Sequence, residues 1–238
     1  MPCDVAIRSH HWGGKGKTRY VIEEFNIGQL KTRYLRAGQS SAIDEAVVWL
    51  RRGYPVVFPT DTVYGVGVMP FDEPAIERLY TVKGRPTSKG IPILLADPDD
   101  LIVVAGSIPP MARVLINRFW PGPLTLIVPR ATGLPAALSP NENIAVRVPD
   151  HEVARALIRE AGGAVATSSA NLSGQDPART GEAALAALNG LVAAVLDDGP
   201  APGERPSTIV DCTTPLPAIV REGPLSAADL GLEDRNSA

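Results

Sequence analysis

The sequence predicts an α/β fold with a mixed parallel and antiparallel sheet flanked by helices. Short apolar runs such as Val56–Phe58 and Ala164–Thr167 alternate with stretches of helical period, which is the pattern of helices packed on a sheet. Hydrophobic residues make up 45% of the chain and charged ones 21%, enough for a core and too apolar for a wholly disordered chain. The alternation breaks near 124–148 and 191–221, where strand-like runs follow one another, so neighbouring strands of both orientations are expected. At 238 residues, one domain with an appendage is the leading count.

The elements follow in order. Residues 1–38 show no sustained period and read as a basic, flexible extension; the folded domain is expected over 39–226, with a loose tail at 227–238. Ser40 or Ser41 caps a helix whose apolar face is Ile43, Val47 and Leu50, and Gly53 ends it. Pro55–Phe58 is a buried strand. Asp72 caps the next helix, with Ile76, Leu79 and Tyr80 on one face, and Ile91–Leu95 is a second buried strand. Pro109–Trp120 reads as a helix stopped by Pro121-Gly122-Pro123. Leu124–Val128 and Ile144–Val148 are strands. Asp150 caps a helix running to Ala161, which Gly162-Gly163 closes. Ala164–Thr167 is a strand and Gly181–Leu188 a helix. Leu191–Leu196, Thr208–Val210 and Ala218–Val220 complete the strands.

Composition narrows the function. No apolar run reaches the ~18–20 residues of a membrane span. Cys3 and Cys212 are too few for a disulfide scaffold or a four-thiolate zinc site, and three histidines leave little for metal chemistry. With no apolar segment after the N-terminus, the reading is a reduced, cytoplasmic protein. Aromatics at 5% argue against a base-stacking platform. Charge is uneven: residues 1–40 hold seven Lys/Arg against three carboxylates, a net +4, leaving −7 on the rest. That head reads either as a solvated tail or as a weak RNA contact. Gly13–Thr18 looks like a phosphate loop, but the glycine required five residues before Gly16 is His11.

Ligands of α/β sheets sit where strands end and loops converge. Pro59-Thr60-Asp61-Thr62-Val63-Tyr64-Gly65 places two hydroxyls and a carboxylate directly after a strand; it reads as a site or as a self-satisfied turn. Lys83-Gly84-Arg85-Pro86-Thr87-Ser88-Lys89 sets three cations between a helix and a strand. In an extended loop Lys83 and Arg85 point the same way, suiting a polyphosphate; the alternative is a solvated helix C-terminus. Thr167-Ser168-Ser169-Ala170-Asn171 follows another strand, and its neutral hydroxyls and amide suit an amino acid or sugar phosphate better than a metal. Arg147 lies in mid-strand, where a charge demands either an anionic ligand or an internal carboxylate. Ser207 and Arg221 repeat the theme at strand ends, and Gly199–Gly203 is a candidate lid. There is no G-x-S-x-G elbow and no G-x-G-x-x-G after a strand.

In combination these motifs are far more specific. P-T-D-T-V-Y-G at 59–65, K-G-R-P at 83–86, F-W-P-G-P-L-T at 119–125, A-V-R-V-P at 145–149 and S-S-A-N-L-S-G at 168–174 occur in that order. They resemble the TsaC/YrdC family of L-threonylcarbamoyladenylate synthases, from about Ala42 to Gly223. The resemblance implies a YrdC-type twisted sheet with a large, open, positively lined cavity. It implies a nucleotidyltransferase joining L-threonine, bicarbonate and ATP into threonylcarbamoyl-AMP and pyrophosphate, with Mg2+ assisting. The product serves N6-threonylcarbamoyladenosine formation on tRNAs reading codons that begin with A, through a separate downstream transferase. The family's K-x-R and S-x-N signature falls on Lys83, Arg85, Ser169 and Asn171, implied to be catalytic. By the same resemblance Thr62, Arg147, Ser169 and Ser207 contact threonine. Lys83, Arg85, Lys89, Asn143, Asn171 and Arg221 contact ATP, with Arg179 a further phosphate candidate; no metal ligands are assigned. Lys89 stands where some relatives carry Asn.

Two other classes remain open on sequence. One is a paralogue of this fold acting as an RNA-binding or ribosome-associated module, which salt-dependent RNA binding without threonine or ATP dependence would reveal. The other is a different carbamoyl-handling protein of the fold.

Overall fold

The computed structural model describes residues 30–232. The expectations for residues 1–29 and 233–238 lie outside them. In chain order the elements are β1 (Arg33–Arg36), α1 (Ala42–Arg51), β2 (Val56–Phe58), β3 (Gly65–Val68), α2 (Glu73–Lys83) and β4 (Ile93–Leu95). Then come α3 (Leu101–Val104), α4 (Pro110–Phe119), β5 (Leu124–Pro129), β6 (Asn143–Arg147), α5 (Glu152–Ala161) and β7 (Ala164–Ser169). The described chain ends with α6 (Gly181–Leu188), β8 (Ala194–Asp197), β9 (Thr208–Asp211), β10 (Ala218–Arg221) and α7 (Ala227–Leu230).

All ten strands join one sheet in the order β1-β8-β2-β3-β7-β4-β6-β5-β9-β10. The pairs β1–β8, β8–β2, β4–β6 and β5–β9 are parallel, and the others are antiparallel. The mixed sheet is therefore as the sequence predicts. Strand side chains alternate between two cores. Val56, Phe58, Leu94, Val165, Ala194 and Leu196 meet α1 and α5 on one face. Val57, Val66, Ile93, Ala166 and Val195 meet α2, α4 and α6 on the other. Covered on both faces, these short strands read as unbroken apolar runs rather than as alternation. Burying one such Leu or Phe contributes roughly 1.5–3 kcal/mol.

Beyond β4 the arrangement changes. Ile144, Val146, Leu124, Leu126, Val128 and Val210 still face the α2/α4 core. Their alternates Asn143, Ala145, Arg147, Thr125, Ile127 and Ile209 line an open cavity instead of a helix. Half of one sheet face is thus left for a ligand.

Several elements depart from expectation. Arg33–Arg36 pairs in parallel with β8, so the sheet begins inside the segment read as a flexible extension. The C-terminal boundary also shifts. Ser226 and Asp229 form a reciprocal capping box, Gly231 closes α7 in the left-handed region, and Leu230 is buried in the core, so residues 226–231 are not loose. Gly65–Val68 is a strand where the sequence suggests a loop. Its glycines depress strand propensity, yet a Cβ at Gly67 would sit 2.6 Å from Val165 Cγ1 and 3.0 Å from Phe58 Cε1. Asp72 accepts from Ala75 N at 3.1 Å and caps α2 as read. The cap of α5 falls on His151 rather than Asp150, and Ser41 caps α1 without a side-chain hydrogen bond.

Candidate active site

The loop after β2 folds across the open face. Thr60 donates its hydroxyl hydrogen to Val63 O at 2.7 Å, so its other hydroxyl contact, 3.0 Å from Thr62 Oγ1, is one in which Thr62 donates. Thr62 Oγ1 in turn accepts from Arg147 Nη1 at 2.9 Å, reaching β6 across the intervening β7 and β4. A further donor meeting Thr62 has one lone pair left to use. Arg147 is 5% exposed. Its Nε donates to Gly122 O at 2.9 Å, and Gly122 N donates to Val148 O at 2.9 Å, so the Pro121-Gly122-Pro123 turn exists partly to hold this arginine. Its Nη2 donates to Asp61 Oδ1 in a buried ion pair. Burial pulls the Arg147 pKa down and Asp61 pulls it up. The internal carboxylate, left open by the sequence as one of two partners, is present.

Beside Arg147 runs a row of hydroxyls. Thr125 is buried on β5, and its Oγ1 lies 2.7 Å from Ser207 Oγ. Arg221 on β10 donates from Nε and Nη2 to Ser207 O at 3.1 and 2.8 Å, and from Nη2 to Ser207 Oγ at 3.3 Å. On the opposite side Arg85 donates from Nε to Lys89 O at 3.1 Å and from Nη2 to Gly90 O at 2.9 Å. The Arg221 guanidinium is held below its usual range by burial and by the like charges of Arg147 and Arg85. Arg221 thus stands in the field of two other guanidinium groups, a local excess of positive charge that suits an anion.

The cavity measures about 430 Å3. The described residues along its wall include Arg85, Arg147 and Arg221 and no Asp or Glu. Thr62, Asn143, Arg147, Ser169, Ser207, Arg85 and Arg221 are brought together in this wall. Lys83, Asn171, Lys89 and Arg179 are not. Lys89 and Arg179 are exposed outside it, and only their main-chain oxygens accept hydrogen bonds, from Tyr80 and Arg85 and from Ala201 respectively.

Lys83 departs most from expectation. It is the last residue of α2, and Gly84 turns the chain in the left-handed region, so Lys83 and Arg85 do not share an extended loop. Lys83 is 3% exposed. Its ammonium donates to Ser169 O, Asn171 O and Asn171 Oδ1, while its own carbonyl accepts from Ser173 N at 2.8 Å. Asn171 closes the turn by donating from Nδ2 to Leu172 O at 2.7 Å and Gln175 O at 2.8 Å. Burial, then the Arg85 charge, pushes the Lys83 pKa down to about 8. The K-x-R and S-x-N motifs meet, but Lys83 and Asn171 stand behind the wall as its frame.

The Gly199–Gly203 segment is pinned. The Tyr64 hydroxyl lies 2.6 Å from Gly199 O and 2.9 Å from Asp197 Oδ1, with one hydrogen to serve both acceptors, and Ala201 N donates to Arg179 O at 2.8 Å. A Cβ on Gly203 would lie 2.6 Å from Thr62 Cα. Asp61 belongs to the segment that the sequence offered as a site or a turn but was given no contact of its own, and Thr125 and Gly122 are wall or support residues to which the sequence alone attached no role. Only the run of motif residues around each hinted at them.

Fold and site together define a mixed-sheet α/β protein with an arginine-lined cleft. The Sua5/YciO/YrdC family model, described as "Telomere recombination", matches residues 48–223. A threonylcarbamoyl-AMP synthase of Bacillus subtilis (strain 168) is 38% identical over 210 residues, 82% of this chain and 60% of that protein. One of Pyrococcus abyssi (strain GE5 / Orsay) is 36% identical over 186 residues, 78% of this chain and 55% of that protein. The crystal structure of P. abyssi Sua5 complexed with L-threonine superposes with a TM-score of 0.79 at 34% identity, covering 84% of this chain and 59% of that one. The chain belongs to the Sua5/YciO/YrdC family. It spans little more than half the length of these longer relatives.

Proposed function

We propose that this chain makes L-threonylcarbamoyl-AMP from L-threonine, bicarbonate and ATP, releasing pyrophosphate. The observation that carries the reading is the pairing, in one cavity, of an oriented arginine beside neutral hydroxyls with two further arginines and no carboxylate. The threonine carboxylate meets Arg147, and its hydroxyl and amine meet Thr62, Ser207 and Ser169. Arg85 and Arg221 take the phosphates, with Asn143 beside them. The relatives' shared name and the threonine complex of P. abyssi Sua5 support the assignment.

The chemistry balances without an enzyme nucleophile. The threonine amine attacks the carbon of bicarbonate, and loss of water leaves a carbamate. A carbamate oxygen then attacks the α-phosphorus of ATP as the bond to pyrophosphate breaks. Charge builds on phosphoryl oxygens, which Arg85 and Arg221 are placed to stabilise. Lys83 acts in this reading by holding the Ser169–Asn171 turn. Among the described residues no group of three or more His, Cys, Asp or Glu is placed to hold a metal. In this reading Mg2+ enters as the counter-ion of ATP, held by its phosphates. No helix among the described residues is long and apolar enough to cross a membrane. The reading places the protein in the cytoplasm and hands its product to a separate transferase acting on tRNA.

The test is pyrophosphate release from ATP and bicarbonate with and without L-threonine. Release that requires both L-threonine and bicarbonate, and that serine supports poorly, is expected. Threonine-independent release, or none while ATP still binds, refutes the reading.

A further inference from the structure

The Arg147–Asp61 pair carries an inference beyond the reaction itself, though it rests on that reading. A guanidinium has five N–H donors. Gly122 O, Thr62 Oγ1 and Asp61 Oδ1 each take one from Arg147, leaving two for a ligand. The three acceptors come from two chain segments, the Asp61-Thr62 loop and the Pro121-Gly122-Pro123 turn, and engage all three nitrogens, which fixes the guanidinium plane. The Asp61 side chain is 10% exposed and does not belong to the cavity wall, whereas Arg147 does. Whatever Asp61 does for a ligand it does through Arg147.

We infer that Asp61 is a positioning residue for the substrate carboxylate. It fixes Arg147 in a pose that offers two N–H groups to the cavity. Its charge also balances that of Arg147, which would otherwise be a lone buried cation. The neutral pair recognises a ligand by hydrogen-bond direction more than by bulk attraction, while the phosphate end keeps the uncompensated charge of Arg85 and Arg221. The pairing thereby separates two anion-binding ends of one cavity: a directional one for a carboxylate and a strongly charged one for phosphates.

The experiment compares Asp61→Ala and Asp61→Asn with the wild-type chain in threonine-dependent pyrophosphate release, with KM for threonine, KM for ATP and kcat measured separately. Asp61→Ala is expected to raise the threonine KM tenfold or more, to leave the ATP KM within twofold, and to lower kcat at saturating threonine by less than threefold. Asp61→Asn keeps an oxygen that accepts from Nη2 and is expected to hold the threonine KM within threefold of wild type. A threonine KM within twofold of wild type in Asp61→Ala overturns the inference. So does a loss shared equally among both KM values and kcat, which is the mark of a merely structural role. If Asp61→Ala does not fold, Asp61→Ser, too short to reach Nη2, takes its place. A wild-type chain with no threonine-dependent release defeats the proposed reaction; normal wild-type release with an unmoved threonine KM in the variant defeats the Asp61 assignment alone.

Discussion

Replacing Lys83 with methionine separates two roles that motif reading merges. If the ammonium touched phosphate, its loss would remove activity and spare the fold. The structure says the reverse should dominate. Methionine keeps the stem packed but removes the donor shared by Ser169 O, Asn171 O and Asn171 Oδ1. Ser169 O still accepts from Asn171 N at 3.0 Å, so two Asn171 acceptors lose their partner. A buried acceptor left unpaired costs about 1–3 kcal/mol, or roughly 2–6 kcal/mol for the two. Relief from burying an ammonium offsets part of this, leaving a net loss of about 2 kcal/mol. For a protein of this size that is about 4–8 °C in Tm. The assay is thermal unfolding beside steady-state kinetics. A Lys83→Met chain melting within about 1 °C of wild type, yet more than roughly a hundredfold down in turnover, refutes the framing role and returns the lysine to the phosphates. A double-mutant cycle with Asn171→Ala adds a second check, and coupling of about 1 kcal/mol or more is expected for partners in direct contact.

Three other expectations follow from the same geometry. Arg85→Ala should raise the KM for ATP about 10–100-fold through loss of a charge-assisted contact, with Tm nearly unchanged because its anchors lie in its own loop; an unmoved ATP KM would take Arg85 out of the phosphate site. Gly203→Ala should raise the threonine KM and cost about 1–3 kcal/mol, since the new Cβ meets the Thr62 backbone rather than a yielding side chain; wild-type values of both would mean the 199–206 segment moves without disturbing Thr62. His151 is depressed below its ordinary pKa by burial, against opposing pulls from Asp198, Asp61, Asp150 and Glu152. Its folded pKa is the lower one, so the unfolded chain binds the proton first and stability falls as pH drops below about 6.5. Unfolding midpoints of His151→Gln between pH 7.5 and 5.5 should fall less than those of wild type, and parallel curves would exclude this residue as a source of acid sensitivity.

What the sequence revealed of this protein depended on where each segment's partners lie. Val56–Phe58 and Asp72 with its helix are locally determined, by burial on both faces and by a cap, and both are where patterning places them. Arg33–Arg36 is a strand only because β8, some 160 residues later, offers an edge; its own R-Y-L-R carries no strand signal. Gly65–Val68 is a strand because its neighbours need the space its glycines leave. The site shows the same division. The family resemblance pointed to the wall residues Thr62, Arg147, Ser169 and Ser207. It did not separate Arg85, which faces the cavity, from Lys83, which faces inward, because a single left-handed residue at Gly84 turns one away from the other. Nor did it separate Asp61 from Thr62, although only the latter lines the cavity.

The arrangement of the arginines explains how a chain of net charge −3 presents a cationic cavity. Each of the three is tethered by main-chain carbonyls: Gly122 for Arg147, Ser207 for Arg221, and Lys89 and Gly90 for Arg85. Carbonyls orient a guanidinium without neutralising it, so the charge of Arg85 and Arg221 stays available to a ligand. Only Arg147, the deepest, receives a carboxylate. Donors fixed in this way need little rearrangement as phosphoryl charge develops, and fixed donors in a site that partly excludes water act more strongly than the same groups in solution. Catalysis by placement then requires no nucleophile from the protein. It does require that the supports hold, so in the proposed reaction substitutions behind the wall, at Lys83, Gly203 or Asp61, should act through the residues they support.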